Sequence, residues 1–575
     1  MWQYKIFNFL PYDFKILVIL ILFLMIIGTF FEAFGIAMIV PLMTILTDPD
    51  RISEFKYSVD IIDYFEINEE NLLIYGITAF GLIYFFKTIF LSFQAWIILR
   101  FGFRVQAHFA RKLITNYLST VYEYHLSQNS SKLIRNITSE SDSFAGIITG
   151  LTTLILEIMV CTAIIALLLY FQTEVVLMIL ALFFVLGSIY FFITKNKIFI
   201  WGKQRQYFEG ERLKNINQSL GGIKEVIFYN VKKKFISDFD QSNNQTIKAQ
   251  VKSEILKRLS PYILEFLVLI IFISVFFYFY FSKDNFDTFI PTITLFAVSF
   301  FRLLPSINRI NNCWQGLRFS KVSADLIIDE VEKTNQLLQH KSFKTSDRNL
   351  LKGELCVKNI SFKYENTPDL VLNNLSLNIP YGDFVGIVGK TGAGKTTFID
   401  IILGLLNNSS GEISVGNVII NDHEKTVQWQ KSLGYASQHI FLCDDTIKSN
   451  IAFGLPESEI SDARINDCIK ISQLSEMIRN LPSGINTKIG ERGVRLSGGQ
   501  RQRIGIARAL YHNPNFLILD EATSALDFET ENKIIESLIK FKSKKTIIFI
   551  SHRKNSLKDC DKVYSLSDTK IETII

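Results

Sequence analysis

Val385-Gly386-Ile387-Val388-Gly389-Lys390-Thr391-Gly392-Ala393-Gly394-Lys395-Thr396 decides how the chain is read. An apolar run of strand length enters a glycine-rich loop, and the next residues, Thr397-Phe398-Ile399, open an apolar helix. A G-x-x-x-x-G-K-T loop in this strand–loop–helix setting lets successive backbone N–H groups wrap phosphate oxygens at a helix N-terminus. Lys395 supplies a point charge, and the Thr396 hydroxyl can ligate Mg²⁺. The predicted phosphate contacts are therefore Gly389, Lys390, Thr391, Gly392, Ala393, Gly394, Lys395, Thr396 and Thr397.

Two further stretches extend this reading. Phe516-Leu517-Ile518-Leu519-Asp520-Glu521 is an apolar strand ending in two carboxylates. Asp520 can hold magnesium through water, and Glu521 can polarise an attacking water. An acidic cap on the next helix accounts for either residue alone but poorly for both together. Between the two motifs, Leu496-Ser497-Gly498-Gly499-Gln500 forms a glycine nest opening a helix, a shape suited to phosphate.

Upstream the composition changes. The chain has 575 residues, 49% hydrophobic and 50 of them Phe, and its long apolar runs lie in the first three hundred. A membrane-crossing helix needs ~20 apolar residues, and the candidates are about 15–45, 72–100, 145–171, 174–195, 261–281 and 287–312. The first run is too long for a cleavable signal peptide and serves as the insertion signal. Gln172-Thr173-Glu174 leaves room only for a tight external hairpin. The net charge of +6 comes mainly from Lys and Arg beside the apolar runs, the juxtamembrane pattern rather than that of a nucleic-acid binder. Six scattered cysteines without a CxxC pair fit a reducing compartment, not a disulfide framework or zinc site.

Loop charge sets orientation. The segment 48–70 is acidic, whereas 100–140 and 196–258 are long and basic, which predicts both termini in the cytosol. The two basic segments read as helices continuing below the membrane, with turns near Tyr122–Asn129 and Gly221–Tyr229. Within the spans Glu32, Lys87, Glu157, Glu265 and Arg302 fall at one level, ~20–24 Å below the outer surface at ~1.5 Å per residue. Ser299, Arg302, Ser306 and Arg309 form one polar stripe on the last span. Two readings stay open: the charges pair and staple helices, or Lys87, Arg302 and Arg309 hold an anionic head group in a wet cavity.

Taken together, these motifs resemble the ATP-binding cassette exporters, in order and across the whole chain. The resemblance implies a multi-domain protein: a six-helix, all-α transmembrane bundle of exporter type over 1–330, a linker at 331–350, and an α/β P-loop nucleotide-binding domain over 351–575. It implies ATP and Mg²⁺ as cofactors and an ATP hydrolase coupled to transport. Tyr364 is then similar to the aromatic residue that stacks on adenine. Gln438 resembles the residue linking magnesium and water to the membrane helices, and His552 the histidine that senses the γ-phosphate. Ser524-Ala525-Leu526-Asp527 looks like the loop crossing between cassettes, and Thr487–Gly493 like the exporter loop touching the intracellular turns. In the family, Ser497, Gly498, Gly499 and Gln500 of one chain close over phosphates held by another. The implied assembly is a homodimer with two intact sites, with a heterodimer as the alternative.

The cargo is the less determined part. Phe31-Glu32-Ala33-Phe34, Val40-Pro41-Leu42 and the stretch Phe301–Ile310 resemble the lipid-linked oligosaccharide flippases of bacterial N-glycosylation. That likeness implies a polyprenyl-pyrophosphate-linked glycan moved across a bacterial cytoplasmic (inner) membrane, and a short external helix near 51–65. The sequence departs from the pattern at Ser260-Pro261, where a base is expected and Arg258 is the nearest. Export of peptides, amphipathic drugs or another lipid such as a glycolipid is the alternative.

Overall fold

The computed structural model describes residues 2–39, 42, 72–171, 173–282, 286–338, 350–364, 367–390, 392–567 and 570–574. The expected external helix at 51–65, Gln172 of the hairpin, Thr391 of the phosphate loop and most of the linker lie outside these residues. The chain divides into two compact units: Met1–Thr120 with Ser127–Leu338, and Val121–Leu126 with Gln339–Ile575.

The first unit is helical. Its long helices are α1 (Tyr12–Ala37), α2 (Leu72–Ser119), α3 (Ser141–Phe171), α4 (Thr173–Gly221), α5 (Lys232–Ser282) and α6 (Phe286–Leu337). Each overlaps one of the six predicted spans; the first ends at Ala37, short of the expected 45. Three helices, covering Tyr12–Ala37, Ile74–Ser119 and Ser130–Tyr170, are long and apolar enough to cross a membrane among the described residues. α2, α4, α5 and α6 are 48 to 52 residues long. At ~1.5 Å per residue that is more than twice the ~30 Å hydrocarbon core, so the basic loops are helical extensions as expected.

Large apolar side chains on the spans are left uncovered, among them Phe30 at 65% and Phe85 at 60% exposure. In water such a face would be costly; against lipid tails it carries no penalty. A tighter core of Ile36, Val160, Ile164, Leu168, Val176, Leu295, Phe296, Phe300 and Leu303 joins α1, α3, α4 and α6. Between the helix Ser130–Arg135 and α3 the chain makes a π turn, Asn136–Glu140, with Asn136 and Glu140 fully buried. Arg205 on α4 reaches Glu140 at 3.3 Å and Glu209 at 3.0 Å, so the buried acid is answered by a base from another helix.

The second unit carries the sheets. Strands β1 (Leu355–Phe362), β2 (Leu372–Ile379), β4 (Ser410–Val415) and β5 (Val418–Ile419) make an antiparallel sheet in the order β2-β1-β4-β5. A six-stranded sheet has the order β10-β9-β3-β8-β7-β6, from β3 (Phe384–Gly389), β6 (Leu433–Ala436), β7 (Phe516–Asp520), β8 (Thr546–Ile550), β9 (Lys562–Ser567) and β10 (Lys570–Thr573). β7 and β8 are buried along their whole length, which is why they read as unbroken apolar runs rather than alternating ones. The pairings β3–β8, β8–β7 and β7–β6 are all parallel. Ile387 stands level with Ile550, and Ile550 with Asp520, so the strand ends come out at one edge of the sheet. In open parallel sheets that carboxyl edge is where ligands bind. The segment Val121–Leu126 belongs to this unit: the Asn407 N–H donates to the Glu123 carboxylate at 2.9 Å.

Candidate functional site

Four separated sequence motifs meet at the carboxyl edge of the parallel sheet. The loop after β3 enters helix α7 (Lys395–Ile402), whose N-cap is Gly394 at φ +84°. Gly392 and Gly394 are both left-handed, a conformation glycine adopts freely. The Lys395 ammonium donates to the carbonyls of Gly389 at 2.6 Å and Lys390 at 3.1 Å, and lies 3.4 Å from His552 Nε2. Burial pushes its pKa down, while Glu521 and Asp520 pull it back up.

Glu521, at the end of β7, gathers the other two motifs. Gln438 Nε2 donates to Glu521 Oε2 at 2.7 Å, and His552 Nε2 lies 2.9 Å from Oε1. Glu521 has φ +49°, a left-handed backbone that costs a non-glycine residue about 1–2 kcal/mol. Its N–H is held by the Ile550 carbonyl at 3.1 Å and its carbonyl by Gln502 Nε2 at 3.3 Å. The carboxylate is thus aimed by backbone constraints as well as by Gln438. Asp520 is buried beside it, and its pKa is raised by burial first and then by the Glu521 charge. Two adjacent acids, one of them raised in pKa beside the other, are a donor set a hard divalent cation would suit, and the Thr396 hydroxyl begins α7 next to the loop. The Tyr364 hydroxyl is 3.0 Å from Thr397 Oγ1, which fixes this ring beside α7.

The predicted nest at 497–500 begins helix α8 (Gly498–Tyr511). Ser497 is the N-cap and exchanges bonds with Gln500 in a capping box: Ser497 N–H to Gln500 Oε1 at 2.8 Å, Gln500 N–H to Ser497 Oγ at 3.2 Å. Gln500 therefore spends its side chain on the cap. Gly499 packs against the loop after Glu521, where an added Cβ would come within 3.1 Å of the Ala525 carbonyl oxygen. Among the described residues, Lys395 donates to the phosphate loop and lies beside His552, and makes no bond to this nest.

Sequence reading missed three residues that hold this site. Gln502 bonds Ser524 Oγ at 2.9 Å and the Ala525 N–H at 2.8 Å. Glu531, on helix α9 (Phe528–Ile539), is 1% exposed and bonds Arg553, just after His552. Spacing gave one signal: Glu531 lies four residues past the N-cap Asp527. A charged residue on an amphipathic helix otherwise reads as solvent-facing.

In the helical unit the intramembrane charges pair. Arg302 grips Glu32 with Nε at 3.0 Å and Nη2 at 2.8 Å, and its Nη1 donates to Ser306 at 2.7 Å. Lys87 approaches the same Glu32 at 2.9 Å. Arg309 pairs with Glu157. Glu265, expected at this level, is exposed on α5 and is not joined to either group among the described ion pairs. Among the described ion pairs at this level, three bases, Lys87, Arg302 and Arg309, face two acids.

Comparison with known proteins agrees with this geometry. Residues 372–524 match the family model described as ABC transporter, and 17–303 that described as ABC transporter transmembrane region. The chain is 30% identical over 472 residues to an ATP-dependent lipid A-core flippase of Haemophilus influenzae, covering 80% of this chain and 78% of the relative. A protein of the same description from Pseudoalteromonas translucida is 29% identical, covering 82% and 80%. A Rickettsia typhi protein described as an export ATP-binding/permease protein is 44% identical over 217 residues; the match spans only 38% of this chain and 37% of that relative. Among solved structures, a bacterial Atm1-family ABC exporter with ATP bound shares the fold, with a TM-score of 0.74 over 94% of each chain at 22% identity.

Proposed function

Because the chain belongs to the ABC transporter family, with an exporter-type transmembrane region fused to a cassette, we propose that it is an ATP-driven flippase for a phosphate-bearing glycolipid. Glu521 polarises the attacking water, Gln438 orients it and His552 meets the γ-phosphate. Lys395 and the loop N–H groups neutralise the phosphates, and Tyr364 packs on the base. Thr396 and Asp520, with Gln438, would hold Mg²⁺, which would supply charge neutralisation on phosphate oxygens. Ser497, Gly498 and Gly499 act on a second copy's nucleotide, so the working unit is a homodimer. The loop charges support cytosolic termini, and the likeness to bacterial flippases supports an inner-membrane location.

The observation that carries the cargo reading is the excess base. A carboxylate answered twice, by Lys87 and Arg302, leaves one positive charge where isolated charge is expensive, and an anionic head group removes that cost. Arg302 also suits phosphate because its fork binds two oxygens. The finer reading is a polyprenyl-pyrophosphate-linked oligosaccharide. A lipid A-core cargo is the second reading, favoured by the description of relatives alignable over about four-fifths of the chain.

Liposomes reconstituted with the full chain test the cargo. Fluorescent lipid-linked oligosaccharide, lipid A-core and a mature amphipathic peptide are offered side by side. ATP-dependent flipping of one phosphate-bearing lipid and not the peptide is expected; transport of the peptide alone overturns the proposal.

A further inference from the structure

The geometry points to Glu531 as a positioning residue for ATP turnover, tying the loop that follows Glu521 to the segment that carries His552. This inference rests on the ATP-site reading above. Glu531 is buried, and both carboxylate oxygens are taken. Oε1 accepts from Thr523 Oγ1 at 2.7 Å and from Ser556 Oγ at 2.8 Å; Oε2 accepts from Arg553 Nη1 at 2.7 Å. Thr523 lies two residues after Glu521, Arg553 follows His552 directly, and Ser556 comes four residues after His552. A single side chain therefore bonds the loops leaving β7 and β8.

Arg553 extends the tie. Its Nη2 donates to the Ser524 carbonyl at 2.9 Å and its Nη1 to the Leu526 carbonyl at 3.3 Å. The loop 523–526 is thus gripped from below by Glu531 and Arg553, and from the side by Gln502 of α8. Glu521 sits at the start of that loop in its left-handed conformation, which persists only where the surroundings over-determine it. None of these groups touches Lys395 among the described hydrogen bonds. Loss of Glu531 would leave the phosphate loop intact and misalign the Glu521–His552 pair. A displacement of ~1 Å at such a site costs up to ~10²-fold in rate.

The test is steady-state ATP hydrolysis by the purified full-length protein, as a function of ATP and normalised to nucleotide-binding sites. Glu531→Gln presents a donor to Arg553 and is expected to lower kcat about tenfold or more while KM for ATP stays within about twofold. Arg553→Lys keeps a charge for Glu531 but loses the planar fork that reaches Ser524 and Leu526. It should lower kcat in the same way with little change in unfolding midpoint. Should Glu531→Gln fail to fold, Thr523→Val, which removes one bond, takes its place with a smaller fall in kcat. Wild-type kcat per binding site in Glu531→Gln or Arg553→Lys overturns the inference, as does a fall in activity matched by loss of binding sites. Glu521→Gln in the same assay separates the two readings: if it too is fully active, the ATP-site reading itself has failed.

Discussion

The carboxylates at the two candidate sites are treated in opposite ways. In the helical unit Glu32 is held by two bases and Glu157 by one, and both acids are buried. In the cassette Asp520 and Glu521 adjoin each other, and the side chains on Glu521 are an amide and an imidazole. An acid fully answered by fixed bases is a structural part whose removal strands its partners. Adjacent acids at a strand end, with Asp520 raised in pKa by burial and by its neighbour's charge, have no fixed Lys or Arg paired to them among the described ion pairs, which suits the reaction chemistry proposed for them. The same residue type is held as a staple at Glu32 and carries the proposed reaction chemistry at Glu521, and the difference lies in what faces it.

The largest effect expected from this contrast is on stability. Glu32→Gln leaves Lys87 and Arg302 without their shared acid, and losing one partner of a buried ion pair costs about 3–5 kcal/mol. Thermal unfolding in detergent should shift down clearly, and a second change, Lys87→Met, should recover part of it. An unchanged midpoint would break the staple half of the comparison.

In the cassette the equivalent change acts on rate. Glu521→Gln is expected to keep ATP binding and lower turnover by ~10²-fold or more, because a neutral amide cannot polarise the water. Lys395→Ala weakens nucleotide binding itself, read with a fluorescent analogue. Near-normal turnover in Glu521→Gln would contradict the assignment.

Assembly gives a smaller effect. In tagged mixed dimers, one chain with Ser497→Arg and the other with Lys395→Ala put both lesions into one shared site. The other site stays intact, and roughly half the turnover is expected to remain. A control dimer with both lesions on one chain damages both shared sites. Loss of all turnover in the first dimer, with activity in the control, would count against sites built from two chains.

The smallest shift concerns pH. Burial, and then the charge of Asp520, push Asp400 up to about 6. Between its ordinary pKa near 4 and about 6 the unfolded chain has released this proton and the folded chain has not, so stability falls as pH rises through that window. Above it the penalty is complete. Asp400→Asn should therefore raise the unfolding midpoint at pH 7.5 and leave it unchanged near pH 4.

These contrasts were unequally legible. The phosphate loop and the paired carboxylates each keep their chemistry within a few residues at a strand end, so motif spacing gave Lys395 and Glu521, while Gln438 and His552 came only through the resemblance to the exporters. The six spans followed from apolar run length, and the helical extensions from the length and basicity of the internal segments. The partners of the intramembrane charges were not readable, because Glu32 and Arg302 are 270 residues apart and only helix packing joins them. Glu531 was hidden by its amphipathic helix, and the π turn at Asn136–Glu140 leaves no compositional mark.

The most direct test is the ratio of lipid flipped to ATP hydrolysed in proteoliposomes carrying Arg302→Ala. Glu32 keeps Lys87, so the fold and basal hydrolysis should survive while the excess positive charge disappears. The account predicts a sharp fall in that ratio for the phosphate-bearing lipid; a ratio equal to that of the unaltered chain would contradict it.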